Sequence, residues 1–137
     1  MQIREITAEE TWPLRHRVMW PDQPLDFVKV PEDATGVHFG AWEQEQLVSV
    51  ISQFVHGPEA QFRKFATETA VQGKGYGSAL LRHVMQYARE QHVQVLWCHA
   101  RQHKAAFYAK FGFESTGTPF PKNGKIYVRM QKQLSRE

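Results

Sequence analysis

Three alternate glycines in the stretch Gln72-Gly73-Lys74-Gly75-Tyr76-Gly77-Ser78 separate a β-patterned run ending at Thr67 from an apolar-striped segment that starts near Leu80. This junction restricts the fold more than any other part of the chain. Glycine reaches positive φ without strain and keeps no side chain between a ligand and the backbone amides. A helix that follows such a loop adds a partial positive charge at its first turn, so the amides of residues 72 to 78 are suited to a pyrophosphate. Side-chain charge is optional there.

Spacing separates the motifs that share this chemistry. A Walker loop needs glycine, four residues and Gly-Lys-Ser/Thr, but Gly73-Lys74 is followed by Gly75 and preceded at the required place by Glu68. A dinucleotide fingerprint fits poorly, since Ser78 stands where its third glycine belongs and the next strand ends Leu96-Trp97-Cys98-His99 without an acid. The remaining pattern, Gln72-x-x-Gly75-x-Gly77, resembles the acyl-CoA pyrophosphate motif of the GNAT superfamily of N-acyltransferases. A second stretch, Ala105-Ala106-Phe107-Tyr108-Ala109-Lys110-Phe111-Gly112-Phe113, is similar to that superfamily's Ala-x-x-Phe-Tyr-x-x-x-Gly-Phe pattern, with the leading alanine shifted. The resemblance covers roughly residues 60 to 131.

The 137 residues suit one domain, 1–137, with a single core. Nine Phe, four Trp and four Tyr in a 42% hydrophobic composition argue for a packed globule. No run approaches the roughly 20 apolar residues of a membrane helix, and Met1-Gln2-Ile3-Arg4-Glu5 lacks a signal-peptide core. A cytoplasmic location is expected, and one cysteine, Cys98, suits a reducing compartment. The net charge of +3 comes from 17 basic and 14 acidic residues mixed along the chain. It forms no basic stripe of the kind nucleic-acid binding needs, and is explained by an anionic cofactor or by nothing.

Local patterns predict the elements. Ile3 to Ile6 reads as a strand, Thr7-Ala8-Glu9-Glu10 as a capping box that starts a helix, and Pro13 as a point where that helix is interrupted or restarted. Pro21 to Asp33 reads as a long loop. Val37 to Trp42 and Leu47 to Val55 form a hairpin around residues 43 to 46, and His56-Gly57-Pro58 turns into the strand Gln61 to Thr67. Leu80, Leu81, Val84, Met85 and Ala88 mark the buried side of a helix ending near Glu90. Val93, Val95 and Trp97 give the next strand, parallel to the one before the helix. A helix over Gln102 to Phe111 is capped by Gly112, and strands Phe113 to Thr116 and Lys125 to Met130 flank the turn Pro121 to Gly124. The fold class is therefore α/β with a mixed sheet. The resemblance makes it GNAT-like: a mostly antiparallel sheet of six to seven strands, one parallel splayed pair, and helices on both faces.

The resemblance also implies the chemistry. The pantetheine arm of acetyl-CoA would lie between Phe62 to Thr67 and Val93 to Cys98, with backbone contacts at Phe65, Ala66 and Thr67. Residues Gln72, Gly73, Lys74, Gly75, Tyr76, Gly77 and Ser78 would hold the pyrophosphate. Tyr108 would protonate the leaving thiolate, although Phe107 and Phe111 at i, i+4 supply a core face beside it. His99, just after its strand, stands where many members carry a cofactor-binding asparagine. His99, His103 and Cys98 offer too few ligands for a metal, and none is expected. No general base is assigned: Glu68 is the nearest acid, and a water relay is another route. Substrate contacts are expected from Pro21 to Asp33, where Asp22, Asp26, Glu32 and Asp33 offer charges for a cationic amine, and from Gly117 to Tyr127.

The function these features imply is acetyl transfer from acetyl-CoA to a primary amine of a small molecule or peptide. Two alternatives stand beside it: a non-catalytic acyl-CoA binding module, and a nucleotide-binding domain unrelated to coenzyme A. The acceptor is not written in the sequence, and a homodimer is compatible with it.

Overall fold

The computed structural model describes residues 1–134, so the end of the expected 1–137 domain lies outside the described residues. The strands are β1 (Gln2–Ile6), β2 (Val37–Glu43), β3 (Gln46–His56), β4 (Glu59–Thr67), β5 (Val95–Arg101), β6 (Glu114–Lys122) and β7 (Lys125–Gln133). They hydrogen-bond in the order β1-β2-β3-β4-β5-β7-β6. The helices are α1 (Ala8–Leu14), α2 (Tyr76–Glu90) and α3 (Ala105–Ala109). β4 and β5 are parallel, whereas β1–β2, β2–β3, β5–β7 and β6–β7 are antiparallel. This is the mixed seven-stranded sheet expected from the strand, helix, strand order around the glycine loop, because a parallel return needs a crossover helix. Among the described residues no helix is long and apolar enough to cross a membrane.

The chain forms two compact units: Met1–Phe54 with Phe62–Tyr87, and Val55–Gln61 with residues 88–134. In the first, Gln44 and Glu45 turn β2 into β3 with φ of 51° and 67°, the two-residue turn whose twist suits paired strands. Thr7 caps α1 as expected: its hydroxyl accepts from the Glu10 amide at 3.2 Å, and the Glu10 carboxylate accepts from the Thr7 amide at 2.8 Å. Pro13 lies near the end of α1, and the helix changes just after it into a π turn over Arg15–Met19. The missing proline N–H loosens the ladder, and the wider turn follows it.

The segment expected as one loop, Pro21 to Asp33, holds 3-10 turns at Leu25–Val28 and Pro31–Thr35. Arg15, fully buried, organises them. Its guanidinium donates to both Asp33 carboxylate oxygens at 2.9 and 3.0 Å, to the Val28 carbonyl at 3.0 Å and to Ser52 Oγ at 2.9 Å. Ser52 Oγ accepts from Arg15; because the Asp33 carbonyl can only accept, Nε2 of a neutral His38 carries the proton and Nδ1 accepts from Ser52 Oγ at 2.7 Å. His38 Nε2 then donates to the Asp33 carbonyl at 3.0 Å. Burial opposes ionisation of Asp33, but hydrogen bonds from Arg15, the Val30 amide and Trp12 outweigh it and hold the carboxyl below its ordinary range. Leu14 also anchors α1 in a cluster with Ile6, Val50 and Ala66.

In the second unit, β5 pairs with β4 through Glu59↔Val95, Ala60↔Leu96 and Gln61↔Trp97. It pairs with β7 from Val95↔Gln133 to Arg101↔Tyr127. Leu96, Cys98, Ala100, Val128 and Met130 bury one face of this sheet. β5 starts later than the expected Val93 because His92, at φ 63°, closes α2: its amide bonds the Arg89 carbonyl, and the Val93 amide reaches the Ala88 carbonyl at 2.9 Å. The expected helix Gln102 to Phe111 is instead a 3-10 turn, Gln102–Lys104, followed by the short α3. β6 and β7 are longer than expected, since Asn123 and Gly124, at φ 51° and 77°, make the whole turn.

Candidate functional site

The glycine loop joins β4 to α2 inside the first unit. A 3-10 turn over Thr69–Val71 leads to Gln72, and Gly73 and Gly75 follow at φ of 84° and 94°. A side chain added at either would meet no atom within 4 Å, so the need there is for backbone conformation and not for space. Gly77 differs: a Cβ there would stand 3.3 Å from the Phe65 ring and 3.4 Å from Thr67 Oγ1, so it lets the first turn of α2 lie against β4. The Gly75 carbonyl accepts from the Ala79 amide at 3.0 Å, which makes Gly75 the cap of α2. Glycine has no side chain to satisfy the next amides, and α2 carries no acid in its first turn. These are the conditions under which a helix start favours an external anion. Gln72 to Gly75 are exposed, Lys74 among them, while Tyr76 and Ser78 are half-buried. The Tyr76 hydroxyl donates to Glu43 at 3.1 Å.

Side chains fix the end of β4 beside this loop. Gln72 donates its amide to the Thr67 carbonyl at 3.0 Å, which gives that residue a positioning role in the loop. Ser49 Oγ donates to the Ala66 carbonyl at 3.2 Å, so at 2.8 Å Thr67 Oγ1 donates to Ser49. Ser49 and Arg17 lie far from the motif in sequence, and nothing local singles them out. Arg17 clamps Glu68 with bonds of 2.6 and 3.0 Å to one carboxylate oxygen and 3.2 Å to the other. Its hydrogen bonds hold the Glu68 carboxyl below the usual range, against the effect of burial. Glu68 is thereby a poor proton acceptor.

The second motif lies in the second unit. Gly112, at φ 92°, ends α3 in a double-bonded turn, with its amide on the Ala109 carbonyl and the Phe113 amide on that of Tyr108. The turn folds Phe113 back so that its ring lies 6.1 Å from that of Tyr108. Tyr108 is therefore buried, whereas Phe107 and Phe111, expected to supply the core face, are half-buried. Burial pushes the Tyr108 hydroxyl well above its ordinary pKa, and the nearby Cys98 adds to this. Cys98 is itself pushed up to about 12 by burial, partly offset by Arg129.

His99 is not past the end of its strand, as expected, but within β5, two residues before Arg101. Neighbouring side chains leave a strand on opposite faces, so His99 is exposed while Cys98 is buried. Its ring sits 5.1 Å from Trp97 and 5.0 Å from Phe120. Among the described residues no group of three or more His, Cys, Asp or Glu is placed to hold a metal.

Three of the four loop acids already have cations. Asp33 is buried against Arg15, Asp26 lies 2.9 Å from Lys29, and Glu32 lies 3.5 Å from Arg63. Asp33 belongs to the core and not to a substrate surface.

The comparisons agree with this geometry. The family model described as an acetyltransferase (GNAT) domain matches residues 28–134. A Bacillus subtilis protein described as the uncharacterized N-acetyltransferase YitI is 32% identical over 132 residues, covering 88% of this chain and 87% of its own. A crystal structure from Lactobacillus plantarum, provisionally assigned as an N-acetyltransferase, superposes with TM-score 0.87 at 19% identity, over 98% of this chain and 100% of that one. A GNAT family acetyltransferase from Elizabethkingia anophelis with acetyl-CoA bound gives TM-score 0.78 at 17% identity, over 97% of each chain. With its glycine loop, parallel strand pair and family match in agreement, the chain belongs to the GNAT family of acetyltransferases.

Proposed function

We propose that residues 1–137 act as one N-acetyltransferase domain that moves an acetyl group from acetyl-CoA directly to a primary amine. The observation that carries this reading is the start of α2, where a glycine cap, two positive-φ glycines and the lack of a first-turn acid are the features that suit a helix start to an external anion. In the reading, the loop amides of Gln72 to Ser78 hold the pyrophosphate. With the carbonyls of Ala66 and Thr67 engaged by Ser49 and Gln72, Phe65 to Thr67 meet the cofactor arm chiefly through amide donors. His99, exposed on β5, is kept as a candidate partner of the arm in place of the usual asparagine.

Acetyl-CoA supplies an activated thioester. The amine nitrogen bonds to its carbonyl carbon, the carbon–sulfur bond breaks, and the electron pair leaves on sulfur as thiolate. One proton moves from the nitrogen to solvent water, because Glu68 is tied to Arg17. A second proton moves from the Tyr108 hydroxyl to the thiolate. In water this transfer is uphill by about 2 kcal/mol, and burial of Tyr108 makes phenolate costlier still. Tyr108 therefore assists a thiolate that is itself kept from water, and the phenolate takes a proton back from water, which balances the one the amine released. Positioning of the two reactants carries much of the rate.

The test is thermal unfolding with acetyl-CoA, ATP or NAD at equal concentration, followed by a thiol-release assay with an amine panel. A ligand at a hundred times its Kd adds about 2.7 kcal/mol, a shift of several degrees. A shift with acetyl-CoA alone, with amine-dependent thiol release, is the expected result. In Tyr108→Phe the shift should persist while turnover falls about 100-fold, the scale of general-acid catalysis. A shift without release under any amine identifies a binding module, and a larger shift with ATP or NAD a nucleotide domain.

A further inference from the structure

One face of the β5–β7–β6 sheet is buried; the other carries rings and cations. Side chains two apart on a strand, and residues directly paired across strands, share a face. The pairs His99↔Arg129 and Phe120↔Tyr127, with Trp97 two residues before His99, therefore place these groups together. The rings run in sequence: Trp97 to His99 at 5.1 Å, His99 to Phe120 at 5.0 Å, and Phe120 to Tyr127 at 6.1 Å with planes 23° apart. The Arg129 guanidinium lies over the Trp97 ring at 4.1 Å and the Lys122 ammonium 5.9 Å from Tyr127. His99 and Lys122 are exposed and the other four are half-buried. Among the described residues no carboxylate pairs with Arg129 or Lys122.

A row of half-open rings on a protein surface marks a binding surface, and its two cations select the partner. A second copy of the chain, docked by a two-fold axis, would set this cationic face against itself. A flat molecule with an anionic end suits it better: its ring gains edge and stacking contacts from Phe120 and Tyr127, and its carboxylate meets the planar donor fork of Arg129. We propose that this face receives the non-reacting end of the acceptor, and that the acceptor is an amine on an aromatic skeleton bearing a carboxylate. The inference rests on the acyltransferase reading.

Three probes differ by one feature each: 4-(aminomethyl)benzoate, benzylamine without the carboxylate, and glycine without the ring. Each is tested for kcat/KM with acetyl-CoA and, with no acetyl-CoA present, for binding by titration calorimetry. In both readouts 4-(aminomethyl)benzoate should exceed the other two by at least about tenfold, the scale of one charge-assisted hydrogen bond. Arg129→Gln should remove most of that preference and Lys122→Gln part of it, while Arg4→Gln on β1 leaves it unchanged. Lys122 is exposed, so its variant folds even where Arg129→Gln does not. Equal or better use of benzylamine, or a preference that survives both substitutions, overturns the proposal. So does a dimer that dissociates on Phe120→Glu, which would give the face to a second copy. The acetyl-CoA thermal shift, run on every variant, judges the acyl-CoA reading separately. Its absence would remove that reading while calorimetry still decides whether the face binds an aromatic carboxylate.

Discussion

The two longer helical starts of the first unit are built in opposite ways. α1 satisfies its own first turn, with the Thr7 hydroxyl and the Glu10 carboxylate in a reciprocal box and Glu9 and Glu10 both in place to offset the dipole. α2 does neither: Gly75 caps it without a side chain, and no acid stands in its first turn. A helix that neutralises itself serves the fold, and one that does not is prepared for an anion from outside. Substitutions at the two starts should therefore separate stability from ligand binding.

The largest effect is expected where α1 runs into the core. Asp33→Ala leaves the Arg15 guanidinium buried without its carboxylate, which costs about 3 to 5 kcal/mol in chemical denaturation. The sign with pH follows from the depressed Asp33 carboxyl. Its stabilisation is present above the unfolded carboxylate pKa, about 3.9, and is lost as pH falls through the lower folded value. An acid titration of melting temperature should thus fall below about pH 4 in the wild type and be flatter in Asp33→Ala.

Next comes Gly75→Asp, which gives α2 the anion that α1 already has. Acetyl-CoA affinity measured by calorimetry should fall at least about 100-fold, or about 2.7 kcal/mol. Stability should change by no more than the roughly 1 to 2 kcal/mol expected for a side chain at positive φ. Retained affinity would break the comparison. Thr7→Ala is the converse: a loss of about 1 kcal/mol in stability with acetyl-CoA affinity unmoved. The smallest effect concerns the other end of α2. His92 holds a left-handed conformation that glycine adopts more easily, so His92→Gly should raise stability by roughly 0.5 to 1 kcal/mol in the same denaturation assay.

What could be read from the sequence was local. The Thr7 box, the glycine loop and the Gly112 cap each draw on residues within a few positions, and the structure contains all three. What could not be read depends on partners distant in sequence. Nothing near Asp33 shows that Arg15 claims it, or that Arg17 takes Glu68 across 51 positions. Helical spacing gave Phe107 and Phe111 the core face, but α3 is only five residues long. Its turn folds Phe113 onto Tyr108, so the tyrosine is the buried one. His99 lies inside its strand, and not just after it, for a related reason: β5 extends to Arg101 because β7 pairs with it that far. Register, not propensity, decides where that strand ends.

Acetyl-CoA titrated into uniformly 15N-labelled protein and followed by amide chemical shifts tests the central claim most directly, since glycine amides are well resolved. The account predicts the largest shifts at Gly73, Gly75, Tyr76, Gly77 and Ser78, smaller ones at Phe65 to Thr67, and little change at Thr7 to Glu10. Shifts spread evenly, absent from residues 73 to 78, or reproduced by ATP at the same concentration would contradict it.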